Sequence, residues 1–322
     1  MELEGENPTP KASASSLRWR LLREALLRRL SQKNSCGESD MNVKRVSRRA
    51  TNGFNMIPFH EVDHSTAADV VPSLSNENGS SDACYCYTLP VEGSKKLYLM
   101  QRVDEGASLK DFEVCNRYDI DNTGLVCQWP SEDLLAYFCL LHADMFRSKR
   151  VIELGSGYGL TGLVIGATSD AVEVIISDGN PQVVDYIQRN IHLNLEATGA
   201  TKMNCMALHW NQEHASSLIG TFDIIVASDC TFFKEFHKGL AQTVKLLLKK
   251  KASSEALFFS PNRGDTLNKF LKEVKESGLH FSITENYDSE VWKRHEGFMN
   301  GDPQWPNYEK DHCYPLLVRI TS

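Results

Sequence analysis

The chain has 322 residues, 41% of them apolar and 24% charged, enough for one large domain or two small ones. No run approaches about 18 apolar residues, which argues against a membrane-spanning helix. The acidic start at Glu2, Glu4 and Glu6 does not fit a secretory signal. Nine cysteines, with only Cys84 and Cys86 close together, support neither a disulfide framework nor a CxxC zinc site. They read as reduced thiols of a cytoplasmic protein, or one that also enters the nucleus.

Net charge is −7 and unevenly spread. Residues 1–50 hold 11 Lys and Arg against 6 Asp and Glu, a balance of +5, and the remainder carries −12. The basic end is a candidate for an acidic protein partner, with a solvated tail as the plainer reading.

Residues 1–14 are rich in Pro, Ser and Glu and read as disordered. From Ser16 the spacing of Leu17, Leu21, Ala25, Leu26 and Leu30 predicts an amphipathic helix, with Arg18, Arg20, Arg23, Arg28 and Arg29 around it. The run 44–49 is a weak nuclear-localisation pattern. Residues 51–123 read as a small β-rich portion. Its strand-like stretches are Phe54–Phe59, Ala83–Leu89 and Lys96–Val103, with a loop near 60–82. After a turn at Gly124–Pro130, Ser131 is read as capping a helix that runs to about Phe146, with Glu132 and Asp133 in its first turn.

Strands and helices then alternate through residues 124–322. Strands are predicted at 150–154, 173–177, 203–208, 222–228 and 255–260, and helices near 160–167, 181–194, 234–250 and 264–276. Two later runs, Phe281–Glu285 and Leu316–Thr321, complete the set. The alternation predicts an α/β fold: a doubly wound, mainly parallel, seven-stranded sheet with a small N-terminal α+β portion.

In such a sheet the ligand sits outside the carboxyl ends of the strands, where their order reverses. The first strand runs into Glu153-Leu154-Gly155-Ser156-Gly157-Tyr158-Gly159, a turn whose glycines admit positive φ and close approach of a ligand. The second ends at Asp178-Gly179-Asn180, where a carboxylate suits a ribose diol. His209-Trp210-Asn211 follows the third, and Ser228-Asp229-Cys230-Thr231-Phe232-Phe233 the fourth. The spacing Gly157-x-Gly159-x-x-Gly162 also fits a dinucleotide site. Against that, Glu153 beside the turn would repel a pyrophosphate and welcome an ammonium. Blander readings stay open: Asp178 as a cap for the next helix, Trp129 and Trp210 as core, Phe232 and Phe233 as filling, Asp229 as a cap. His209, His237 and His312 have no metal-ligand spacing.

The segment from Glu153 to Gly162 resembles motif I of the class I S-adenosylmethionine-dependent methyltransferases, the seven-stranded Rossmann-like type. Trp129-Pro130-Ser131, Asp178, Trp210 and Asp229 to Phe232, in that order, narrow the resemblance to the protein lysine methyltransferases that modify non-histone proteins. It covers about residues 120–322. The resemblance implies S-adenosylmethionine as cofactor and S-adenosylhomocysteine as product. It places Gly155, Ser156 and Gly157 under the methionine part, with Glu153 helping to receive the ammonium through the loop and Trp129 closing that end. Asp178 would hold the ribose hydroxyls with Asn180 nearby, and Trp210 and the Ser228 backbone would sit by the adenine. Asp229 would bind or orient the incoming lysine amine, between walls supplied by Phe232 and Phe233. Phe232 departs from the family's tyrosine and removes its hydroxyl. A nucleic-acid substrate is disfavoured by the acidic domain and by the lack of an Asn-Pro-Pro-Tyr type motif at this place.

Overall fold

The structure is a computed structural model and describes residues 53–62, 82–91, 93, 95–102, 109–126, 129–211 and 216–322. The expected basic helix near the N-terminus and most of the expected loop, 63–81, lie outside the described residues. None of the described helices is long and apolar enough to cross a membrane.

The chain opens with β1 (Phe59–Glu61), β2 (Asp82–Thr88) and β3 (Lys96–Arg102). They form an antiparallel three-stranded sheet in the order β1-β2-β3. Only Phe59 of the strand-like stretch at 54–59 is in β1. Phe54 packs instead against Phe298, Trp305 and Tyr308, at ring-centroid distances of 5.4, 5.7 and 6.1 Å. Next come α1 (Leu109–Tyr118), α2 (Thr123–Val126) and α3 (Pro130–Leu141). α3 starts one residue before the expected cap, because Pro130 presets the first helical φ, and Ser131 is not its cap. A 3-10 turn at Ala143–Phe146 completes the predicted span.

The second unit follows the predicted alternation: β4 (Arg150–Leu154), α4 (Leu160–Thr168), β5 (Glu173–Asp178), α5 (Pro181–Leu193), α6 (Leu195–Thr198), β6 (Lys202–Ala207), β7 (Ile224–Ser228), α7 (His237–Leu247), β8 (Glu255–Pro261) and α8 (Thr266–Glu276). β9 (His280–Thr284), α9 (Ser289–Met299), α10 (Lys310–Cys313) and β10 (Pro315–Thr321) complete it. The strands make one seven-stranded sheet in the order β6-β5-β4-β7-β8-β10-β9. It is parallel from β6 to β8, and β10 runs antiparallel to both β8 and β9.

Both faces of the central strands β4, β7 and β8 are buried, which is why these read as nearly continuous apolar runs. Val151, Val226, Leu257 and Phe259 belong to one core with residues of α3, α4 and α5. Ile152, Leu154, Ile225 and Phe258 belong to the other with residues of α7 and α8. β4 lies between β5 and β7, so strand order reverses there, and the crevice beyond its end is where this fold takes ligands.

The small sheet docks on α5 through two asparagines. Asn190 Oδ1 accepts from Met100 N at 2.8 Å and its Nδ2 donates to Met100 O at 3.2 Å. Asn194 Oδ1 accepts from Tyr98 N at 2.8 Å and its Nδ2 donates to Tyr98 O at 2.7 Å. Residues one helical turn apart rise by about 6 Å, close to the roughly 6.8 Å between alternate strand residues. The two amides therefore meet the free edge of β3 as another strand would.

Candidate active site

A cleft of about 910 Å³, open to solvent, lies at the switch point. Its lining includes Trp129, Gly155, Ser156, Gly157, Asp178, Asn180, Trp210, Ser228, Asp229, Phe232 and Phe233, so the structure brings together every predicted site residue except Glu153. Gly155 has φ +57°, and a Cβ on it would stand 2.7 Å from Cys230 Sγ and 3.0 Å from Trp210 Cζ2. No other residue type fits there without displacing the cleft wall. The turn is braced from behind by Tyr158, which is 1% exposed. Its hydroxyl donates to Leu125 O at 2.8 Å and accepts from Arg102 N at 3.2 Å, and its carbonyl accepts from Asn190 Nδ2 at 3.1 Å. The N-terminal sheet thereby buttresses the glycine turn.

Asp178, at the end of β5, accepts from Gly157 N at 3.2 Å and Asn180 N at 2.8 Å. It is partly open to the cleft but closely surrounded, and burial raises its carboxyl to about pH 7, with the charge of Asp121 adding to the rise. Backbone N–H groups of Asn180, Gly157 and Gly179 hold the shift down. Asn180 caps α5, its Oδ1 accepting from Gln182 N at 2.9 Å. Its amide nitrogen is buried and has no hydrogen-bond partner among the described residues. An unfilled donor and the three lining carboxylates other than Asp229, namely Asp121, Glu132 and Asp178, fit a ligand that carries hydroxyl groups and positive charge.

Glu153 does not line the cleft. It is 1% exposed and lies under the turn, with Oε2 accepting from Gly162 N at 2.8 Å. Burial, with Glu132 adding, pushes its carboxyl up to about 8 against the lowering by Gly162 and Thr161. The alternating pattern of β4 buries this position under the first turn of α4, out of reach of the cleft surface. Trp305 and Tyr308 pack around Phe54.

The other end of the cleft is made of side chains. Asp229 takes φ +57°, unusual for a residue with a Cβ, and its N–H donates to Phe259 O at 2.9 Å. Its carboxylate is paired with both terminal nitrogens of Arg263, Nη2 lying 3.1 Å from Oδ2, and Oδ2 also accepts from Ser131 Oγ at 2.9 Å. The serine expected to cap α3 thus serves this loop instead. His237, itself 3% exposed, donates from Nε2 to Thr231 O at 2.8 Å. Phe232 is 39% exposed at the mouth, with ring centroids 6.2 Å from Trp129 and 4.9 Å from Phe233.

Sequence reasoning missed two groups. Ile120, Asp121, Thr123 and Gly124 line the cleft from the segment before Trp129, where Asp121 accepts from Thr123 N at 2.7 Å. Arg263 follows β8, and inspecting the end of that fifth strand as well as the first four would have found it. Chemically, the cleft offers a cradle for a cationic ligand beside an aromatic mouth, with Asp229 already held in an ion pair.

Comparison with known proteins agrees with this geometry. A family model described as lysine methyltransferase matches residues 119–277. The chain is 61% identical over 316 residues to calmodulin-lysine N-methyltransferase of Arabidopsis thaliana, covering 98% of this chain and 99% of that protein. It is 29% identical over 171 residues to the protein-lysine N-methyltransferase EEF2KMT of Mus musculus, covering 49% and 51% of the two chains. To the protein N-lysine methyltransferase METTL21A of Danio rerio it is 28% identical over 163 residues, covering 50% and 71%. The motifs, the sheet order and the near full-length relative together place this chain in the lysine methyltransferase family.

Proposed function

We propose that the chain transfers a methyl group from S-adenosylmethionine to a lysine ε-amine of calmodulin. The observation that carries this reading is the 61% identity to a calmodulin-lysine N-methyltransferase along essentially the whole of both chains. Gly155, Ser156 and Gly157 take the methionine part of the cofactor, Asp178 and Asn180 the ribose, and Trp210 and Ser228 the adenine, with Trp129 over the methionine end. Glu153 acts from below by fixing Gly162 at the start of α4. When bound, S-adenosylmethionine supplies a methyl group on a sulfonium, a good leaving group that needs no further activation.

What remains for the protein is alignment and desolvation, worth several kcal/mol when reacting atoms are held in line. The target lysine has to lose its proton, and the apolar mouth formed by Phe232, Phe233 and Trp129 favours the neutral amine. No hydroxyl at position 232 is available to bond that amine, so its direction is set by ring contacts and by the shape of the Asp229–Phe233 loop.

Incubating the chain with calmodulin and methyl-labelled S-adenosylmethionine tests the proposal, with label expected on a calmodulin lysine. Cofactor binding without transfer to calmodulin or to a panel of acidic proteins would instead mark a non-catalytic binder. The +5 charge of residues 1–50 further predicts that their removal raises KM for calmodulin and flattens its salt dependence while leaving kcat nearly unchanged. An unchanged KM would remove that segment from substrate recognition.

A further inference from the structure

Resting on the methyl-transfer reading above, we infer that Arg263 is a positioning residue of the lysine site. It holds the Asp229–Phe233 loop and the Phe232 ring in the arrangement that receives the amine, and ties them to the C-terminal segment through the carbonyl of His312. The inference begins with the backbone of Asp229, which takes φ +57°, a left-handed conformation that aspartate visits more readily than most residues with a Cβ and that its surroundings must hold in place. At Asp229 the restraints are the backbone bond to Phe259 O and a side chain, 5% exposed, whose partners are Arg263 and Ser131.

Arg263 is matched to this task in shape as well as charge. Its side chain is 5% exposed, and its fork faces both oxygens of Asp229. Nε and Nη2 donate to His312 O at 3.2 and 2.8 Å. Its guanidinium carbon lies 4.8 Å from the Trp129 ring centre and 5.8 Å from that of Phe232, within cation–π reach of both. One planar group therefore sets an acidic loop residue, two aromatic rings of the mouth and a backbone carbonyl 49 residues further along the chain. The register explains why it arrives there. Ser228 pairs with Phe259 between the parallel strands β7 and β8, so the chain leaving β8 rises beside the chain leaving β7.

A buried ion pair is seldom a gain in stability over an apolar pair of the same shape. Its location at the mouth is instead suited to fixing direction. Closing Asp229 against Arg263 also keeps that carboxylate from holding a lysine in its unreactive ammonium form.

The decisive variant is Arg263→Lys, which keeps the positive charge beside Asp229 and loses the planar fork. The readouts are kcat and KM on calmodulin, S-adenosylhomocysteine binding by calorimetry, and Trp129 emission, taken as the difference between each protein and its Trp129→Phe counterpart. For Arg263→Lys we expect kcat to fall about tenfold or more, the S-adenosylhomocysteine Kd to stay within about threefold, and Trp129 emission to shift. Arg263→Met should fall further, and Asp229→Asn combined with Arg263→Met should be no worse than the poorer single variant, as for groups acting as one unit. Wild-type kcat in Arg263→Lys, or a loss of cofactor binding in parallel with kcat, overturns the inference. A wild-type protein that binds S-adenosylhomocysteine but methylates nothing refutes the methyl-transfer reading instead. In that case the Trp129 emission still reports whether Arg263 sets the mouth, and an unshifted spectrum in Arg263→Lys rejects it.

Discussion

The end of the cleft beneath β4 and β5 and the end beneath β7 and β8 solve different problems with different materials. The first is built from backbone: three glycines with positive φ, N–H groups aimed at Asp178, and a helix start held by Glu153. Its lining acids are crowded and half-buried, and a bound cation would relieve them. The second is built from side chains that already satisfy one another: Asp229 with Arg263 and Ser131, and Phe232 with Trp129 and Phe233. One end is poised to gain from a ligand, while the other is complete before the acceptor arrives. A generic cofactor can be met by a fixed backbone cradle, whereas accepting one lysine among many requires a shaped mouth.

The largest break in that comparison should come from Asp178→Ala. Hydrogen bonds to a charged group are each worth about 1.5–3 kcal/mol, so losing the two proposed ribose contacts should weaken cofactor binding about 10²- to 10⁴-fold. Binding should also depend on pH with a definite sign. In the proposed complex ribose hydroxyls donate to the ionised carboxylate, and burial raises the free-state carboxyl to about 7. Affinity should therefore level off above that pH and fall about tenfold per pH unit below it. Calorimetric titration with S-adenosylhomocysteine from pH 5.5 to 8.5 checks this, and Asp178→Asn should abolish the slope. A slope that survives in Asp178→Asn belongs to another group.

This difference in materials also decides what could be read in the sequence. The heart of the cofactor end is contiguous: strand, glycine turn, helix, strand and Asp178 occupy under thirty residues, and periodicity with strand-end logic finds them. The acceptor end joins Ser131, Asp229 and Arg263 from three places in the chain, and only the fold reveals the pairing. Ser131 before an apolar helix reads as a cap, yet Pro130 makes a side-chain cap dispensable and frees the hydroxyl for Asp229. α1 went unread because its sequence, LKDFEVCNRY, mixes apolar and polar residues in equal number without a clear helical stripe. α9 went unread because its buried stripe of Val291, His295 and Phe298 has a histidine in the middle, where Tyr308 supplies a hydroxyl 2.5 Å from Nδ1.

A smaller effect should show whether the cofactor end depends on the N-terminal sheet. Asn190, fully buried, bonds both backbone groups of Met100 and the carbonyl of Tyr158 inside the glycine turn. Asn190→Ala strands three backbone polar groups, a cost of about 2–3 kcal/mol if part of it is recovered by relaxation or water. Thermal unfolding should report that loss. Kinetics should sharpen the contrast between the two ends, with KM for S-adenosylmethionine rising severalfold and KM for calmodulin unchanged. Equal rises in both would mean that the small sheet supports the whole cleft.

The subtlest effect should come from Glu153→Gln and appears only as a function of pH. Wild-type Glu153 has its carboxyl raised to about 8 by burial, whereas in the unfolded chain it ionises near pH 4.3, an ordinary value for glutamate. Between those limits the folded protein holds a proton that the unfolded chain releases, so this group makes the fold less stable as pH rises from about 4 to 8. Glutamine stays neutral throughout and still offers an oxygen to Gly162 N, so the variant escapes the loss. Relative to wild type its Tm should rise steadily between pH 5.5 and 8 and level off above, the gap widening over that range by up to about 3 kcal/mol, or several °C. Differential scanning calorimetry without ligand across that range measures the gap. A gap that does not widen with pH would mean that Glu153 is already ionised and compensated, and that the cofactor end is no less complete before binding than the end held by Arg263.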